Sequence, residues 1–248
     1  MFSPCLLVWV KPFVFCIFGS AKVTVMPVCF TKKWMNQTNL VVWKITESED
    51  FFLSKLNGFA LVVRELEKIK HASKRLQFLA SRYALLEILG APNFSQLKKT
   101  ERGKLLLAGN SGLHLSVSHS GHFAAVVVSS FSVGIDIQEY DRRLMFLAPK
   151  FVNDREREWI NDKDPLLDYH LIWGAKESVF KAWGKGELDF RGHLTIFPVS
   201  PNLPNLTDSE YSASLIKEKI KKEYKIWNYK GSYVFLVVAQ EVAVEIVV

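Results

Sequence analysis

Ser132-Val-Gly-Ile-Asp136-Ile-Gln138 is a short apolar run that ends in acid and amide side chains. It reads as a strand. Residues two apart in a strand share a face, so Asp136 and Gln138 point the same way. Further on, Trp173-Gly-Ala-Lys176-Glu177-Ser-Val-Phe-Lys181 reads as a helix whose Trp173, Glu177 and Lys181 recur at one-turn spacing. Each segment has an ordinary reading, a turn-capping aspartate in the first and a solvated Glu–Lys pair in the second. Each also has a functional one. Asp136 and Glu177 offer carboxylate oxygens to a hard divalent cation such as Mg²⁺, Gln138 adds a neutral amide oxygen, and Lys181 neutralises a phosphate.

Elements on either side of this pair build an α+β chain. Leu40 to Ile45 alternates as a strand, and Thr46-Glu-Ser-Glu-Asp50 supplies a cap and acids for a helix start. Apolar spacing predicts a long helix over 61–89, closed by Gly90-Ala-Pro92, with Arg75 and Arg82 on one face. Strands are expected over 103–107, 113–117 and 123–128, then 132–137. Helices are expected over 154–160 and 166–183, the latter ended by Gly184-Lys-Gly186. A basic amphipathic helix is expected over 215–225, then a hairpin about Lys230-Gly231 and a last strand over 242–248. The loop 198–210 reads as exposed. Both halves thus mix strands and helices, with a seam near 129–132.

Composition narrows the partners. The 248 residues are 49% hydrophobic and carry a net charge of +7. They support a substantial core and favour anionic ligands. The three cysteines all fall in the first 29 residues, with no disulfide framework or zinc spacing, which fits a reducing cytoplasm. Residues 1–25 differ from the rest: they have no acid, and Lys11-Pro12 interrupts their apolar run. They are too broken for a spanning helix and lack a signal peptide's basic start. Met26 is the expected true start, and 1–25 a non-native extension.

Ser118-His119 suggests a hydrolase only at first sight, since adjacent residues of a strand point apart and no nucleophile elbow is present. His114, His119 and His122 fit no zinc pattern. A turn whose hydroxyls and histidine meet a phosphate or nucleotide suits this stretch better. Among the basic residues Lys74, Arg75, Arg82, Lys104, Lys181 and Lys185, the two arginines beside an apolar stripe are the strongest phosphate candidates. No nucleic-acid-binding module is recognisable.

Taken in order, these residues resemble the 4′-phosphopantetheinyl transferase superfamily, in its larger pseudodimeric form. The Ser-x-Ser-His-Ser element is Ser116 to Ser120, and the Gly-Ile-Asp-Ile-Glu element is Gly134 to Gln138. The Trp-x-x-Lys-Glu-Ser-x-x-Lys element is Trp173 to Lys181, followed by Gly184-Lys-Gly186. Phe151 to Glu156 matches a Phe-x-x-x-x-Glu element, and Gly103-Lys104 precedes the first signature. The resemblance implies two similar α+β halves, 26–130 and 131–248, with the active site at their seam. It implies an enzyme that moves phosphopantetheine from coenzyme A to a serine of an apo acyl or peptidyl carrier protein and releases 3′,5′-adenosine bisphosphate. Asp136, Gln138 and Glu177 would hold Mg²⁺. Lys181 would contact the phosphates, and Glu156 would be the base. Lys74, Arg75, Arg82, Lys104, Ser118 and His119 would grip coenzyme A. A cytoplasmic monomer without nucleic-acid or membrane partners is expected. Gln138 replaces the family's usual Glu, which leaves open a degenerate member that binds without turnover.

Overall fold

The computed structural model describes residues 28–34, 38–109, 111–199 and 211–246, with side chains from 38 to 242 within these. The expectations for 1–25 and for most of the 198–210 loop lie outside the described residues.

Two sheets account for the described strands. The first contains β1 (Val28–Trp34), β2 (Thr38–Lys44), β3 (Leu97–Lys99), β4 (Leu105–Leu107), β5 (His114–Ser120) and β6 (Phe123–Ser129), in the order β1-β2-β6-β5-β4-β3. The second contains β7 (Val133–Glu139), β8 (Leu194–Pro198), β9 (Tyr211–Lys217), β10 (Ile220–Lys230) and β11 (Val234–Ile246), in the order β7-β11-β10-β9-β8. Setting β1 aside, the two halves share one plan. A first strand leads into helices, and a four-stranded meander then returns its last strand to pair antiparallel with the first. The helices are α1 (Glu49–Leu56), α2 (Ala60–Leu66) and α3 (Ala72–Phe94) in the first half. They are α4 (Leu144–Phe151), α5 (Asp154–Arg157) and α6 (Leu166–Trp183) in the second. The expected α+β pseudodimer is the observed fold.

Three apolar clusters hold it together. One lies between the first sheet and α1–α3, a second between the second sheet and α4–α6. The third joins the sheets: Leu40, Val42, Ala125 and Val127 meet Val133, Ile135, Ile137, Leu236 and Val238. This explains why Phe123 to Val128 is apolar without alternation, since β6 buries one face on α3 and the other on the partner sheet.

Several sequence expectations change. The predicted 61–89 helix is two helices, α2 and α3, separated by 67–71. Gly90, at φ 70°, kinks α3 before Pro92, but one further turn follows. The predicted basic helix over 215–225 is the β9–β10 hairpin, in which Lys217 pairs with Ile220 across Glu218, at φ 55°. Its lysines had suggested a solvated helix face, whereas the pairing partners on both sides of β10 fix it as a strand. The predicted last strand is the continuation of β11, which runs unbroken to Ile246.

Candidate functional site

The seam is built by β5 and β7. Strand β7 ends its sheet, so every second N–H faces outward without a ladder partner. The N–H groups of Ile135, Ile137 and Glu139 donate instead to the hydroxyls of Ser116, Ser118 and Ser120, at 3.1, 3.2 and 3.1 Å. The alternating serines thus form a side-chain ladder that joins the two halves. Ser118 Oγ also donates to Asp136 Oδ1 (3.0 Å) and accepts from Lys181 Nζ (3.0 Å), which saturates it. Ser118 was expected to bind coenzyme A, but its hydroxyl is committed to the seam. His119, one residue on, faces the other way into a cavity.

Helix α6 packs across β7. Gly134 allows this approach, because a Cβ there would collide with the Ser178 carbonyl oxygen. Lys181 reaches from α6 to Asp136 Oδ1 (2.8 Å) and to the outward carbonyl of Ile135 (2.9 Å). Glu177 lies one turn before Lys181 on α6. Burial pushes its pKa up, the Asp136 charge pushes it further, and Lys181 opposes both. Asp136, Glu177 and Lys181 are therefore brought together, as the sequence suggested. Two facing carboxylates with a single ammonium suit an added hard cation that keeps most of its waters. Among the described residues no group of three or more His, Cys, Asp or Glu is assembled for a metal.

Gln138 departs from expectation. Its Oε1 lies 2.9 Å from His170 Nδ1 and its Nε2 donates to the His170 carbonyl at 2.9 Å. The amide is turned to α6 and not offered beside Asp136. Glu156 departs further. It is fully buried and paired with the equally buried Lys176 at 2.8 Å. Glu156 also accepts from the N–H groups of Asn153 and Ile196, while Lys176 donates to the carbonyls of Phe151 and Phe190. Burial raises the Glu156 pKa and lowers that of Lys176, each opposed by its partner. A carboxylate so enclosed cannot reach a substrate hydroxyl, so the expected base is a folding node. Lys176 likewise points into the core, and cannot assist at the seam.

A cavity of about 490 Å³ opens between the halves. Lys68, Arg82, Lys99, Arg102, Lys104 and Lys181 line it against one acid, Glu65, and Phe78, Phe180 and His119 complete its wall. Arg82 sits 4.4 Å over the Phe78 ring, and burial lowers its pKa to about 10, leaving it charged near neutrality. Lys104 donates to the Ala182 carbonyl (2.7 Å) at the end of α6, tying the halves together, and burial lowers its pKa. Burial also lowers the pKa of His119, assisted by Lys74. Lys74 bonds Gln77 and does not line the cavity. Arg75 points elsewhere: its guanidinium binds Glu49 and the carbonyls of Leu66 and Ile69, stitching α1 and α2 to α3. It was expected on the ligand. A shared helix face does not make two long side chains share a target.

Sequence reasoning passed over Lys68, Lys99, Arg102 and His170. The run Arg102-Gly103-Lys104 was a usable signal for Arg102. Helical spacing from Glu177 would have placed His170 on the same stripe.

A two-lobed α+β protein with a carboxylate pair beside a basic cavity is the class that fold and site define. Residues 132–238 match the family described as the 4′-phosphopantetheinyl transferase superfamily. The chain is 31% identical over 124 residues to the 4′-phosphopantetheinyl transferase gsp of Aneurinibacillus migulanus, covering 48% of this chain and 51% of that protein. It is 33% identical over 89 residues to the 4′-phosphopantetheinyl transferase Sfp of Bacillus subtilis strain 168, covering 35% and 40%. The matches thus span about half or less of these relatives' lengths. The similarity to the 4′-phosphopantetheinyl transferase superfamily thus lies in residues 132–238.

Proposed function

We propose that this protein transfers the 4′-phosphopantetheine group of coenzyme A to a serine of an apo acyl or peptidyl carrier protein. The observation that carries the reading is the Asp136–Glu177 carboxylate pair, joined through Lys181 to a basic cavity between the halves. The names of the relatives support the same activity. Asp136 and Glu177 would hold Mg²⁺, which supplies charge neutralisation at the pyrophosphate.

The chain's own residues divide the remaining work. Arg82, Lys104, His119 and further cations of the cavity wall hold the nucleotide end of coenzyme A by charge and hydrogen bonding. Lys181 turns its ammonium from Asp136 toward the breaking phosphoanhydride and stabilises the departing bisphosphate. Glu177, through a carboxylate oxygen that the metal leaves open, accepts the proton of the carrier's serine as its oxygen bonds to phosphorus. No nucleophile is needed from this chain. The halves 26–130 and 131–248 act as one monomer in the cytoplasm. No described helix is long and apolar enough to cross a membrane.

Incubation with coenzyme A, Mg²⁺ and a panel of apo carrier proteins should add one phosphopantetheine mass to a carrier. A folded protein that leaves every carrier unchanged overturns the reading. Gln138 favours a second one, in which coenzyme A binds without transfer; calorimetry with coenzyme A alone separates the two.

A further inference from the structure

His170 is fully buried on α6 and makes two directional contacts. Its Nε2 lies 3.0 Å from the Asp141 N–H, which has only a proton to give, so Nε2 is the acceptor. The ring proton therefore sits on Nδ1 and is donated to Gln138 Oε1. The Gln138 amide is then fixed as well, with Nε2 donating to the His170 carbonyl. A carboxylate in that place would set its charge against a carbonyl oxygen. Gly174 leaves the room, since a Cβ there would come 2.7 Å from Gln138 Nε2. His170, Gly174, Glu177 and Lys181 lie along one stripe of α6, facing β7.

We propose that Gln138 is a positioning residue and not a metal ligand: clamped to His170, it fixes α6 along β7 and so sets the spacing of Asp136 and Glu177. The close approach at Gly134 fixes the other end of the same contact. An amide two residues from Asp136 thus acts on the carboxylate pair through the helix that carries Glu177. The inference rests on the proposed metal role of that pair.

Manganese ion alone, titrated by electron paramagnetic resonance without coenzyme A, tests it together with Gln138→Met, His170→Phe and the double variant. His170 is outside any ligand set, and phenylalanine retains its ring packing on Tyr140 and Phe235. The expected result is about tenfold weaker binding for either single variant, as for other residues that orient ligands without touching the metal. The double variant should be no weaker than the singles, because both break one clamp. Weakened binding in Gln138→Met with wild-type binding in His170→Phe overturns the clamp and makes Gln138 a ligand. No binding by the folded wild type overturns the metal reading itself, and the proposal with it. Long-range proton–nitrogen NMR of the wild type needs no variant to fold: the proton should sit on Nδ1 of His170, and a proton on Nε2 overturns the clamp.

Discussion

Two acid–lysine pairs stand on opposite faces of α6, and their environments give them opposite roles. Glu156–Lys176 is sealed, with both side chains at 0% exposure, and backbone groups fill the remaining valences. Asp136–Lys181 has the same 2.8 Å separation but lies at the seam, with side-chain exposures of 11% and 26%. The sealed pair sits where α4, α5, β8 and α6 converge, and nothing else can enter. The open pair meets a cavity and a second carboxylate, so its contacts are exchangeable. Spacing within the motif does not tell them apart, because Lys176 and Lys181 both accompany Glu177. The azimuth of α6 does.

The comparison breaks most visibly in the sealed pair. Lys176→Met leaves the Glu156 charge buried without its cation and should cost about 3–5 kcal/mol of stability in urea unfolding. Adding Glu156→Gln should recover much of that loss, because no lone charge remains. A stable Lys176→Met single variant would put the pair on the same footing as the seam.

The open pair should behave in the reverse way. Lys181→Met is expected to change stability by less than about 1 kcal/mol, since Lys181 is partly solvated and Ser118 still holds Asp136. Transfer to a carrier should fall at least about 100-fold, the usual cost of losing one preorganised charge partner of a transition state. Full activity would make Lys181 a structural lysine like Lys176.

The smallest effect sharpens the contrast from a third ion cluster, Glu65 with Lys99 and Lys68, on the cavity wall. The hydrogen bond from Lys99, then that from Lys68, lowers the Glu65 pKa from 4.5 to about 2. Because the folded value is depressed, its stabilisation is present above about pH 4.5 and is lost as pH falls toward 2. Glu65→Gln should therefore flatten the acid limb of the stability–pH curve and leave the slope near neutrality unchanged. A variant whose loss grows between pH 5 and 8 would contradict this assignment.

Much of this was legible in the chain. The apolar run Ser132 to Ile137, the capped start at Ser48 and the stop at Gly184 depend on neighbours in sequence, and all appear as read. Asp136, Glu177 and Lys181 were legible because strand and helix periodicities fix which residues share a face. Glu156, Arg75 and Ser118 were misread for one reason. Each has the right chemistry for a site, but long-range partners consume it: Lys176 and Ile196 for Glu156, Glu49 for Arg75, and β7 with Lys181 for Ser118.

Sequence by itself determined most of the element pattern, though not the β9–β10 hairpin, together with the two-part α+β plan and the carboxylates on β7 and α6, because local periodicity carries that information. Tertiary structure alone decided which lysine is sealed and which stands partly open at the seam, that alternating serines complete an edge strand, and that Gln138 faces His170. Those outcomes depend on burial and on which hydrogen-bond valences remain unfilled once distant segments meet, and no local pattern encodes either.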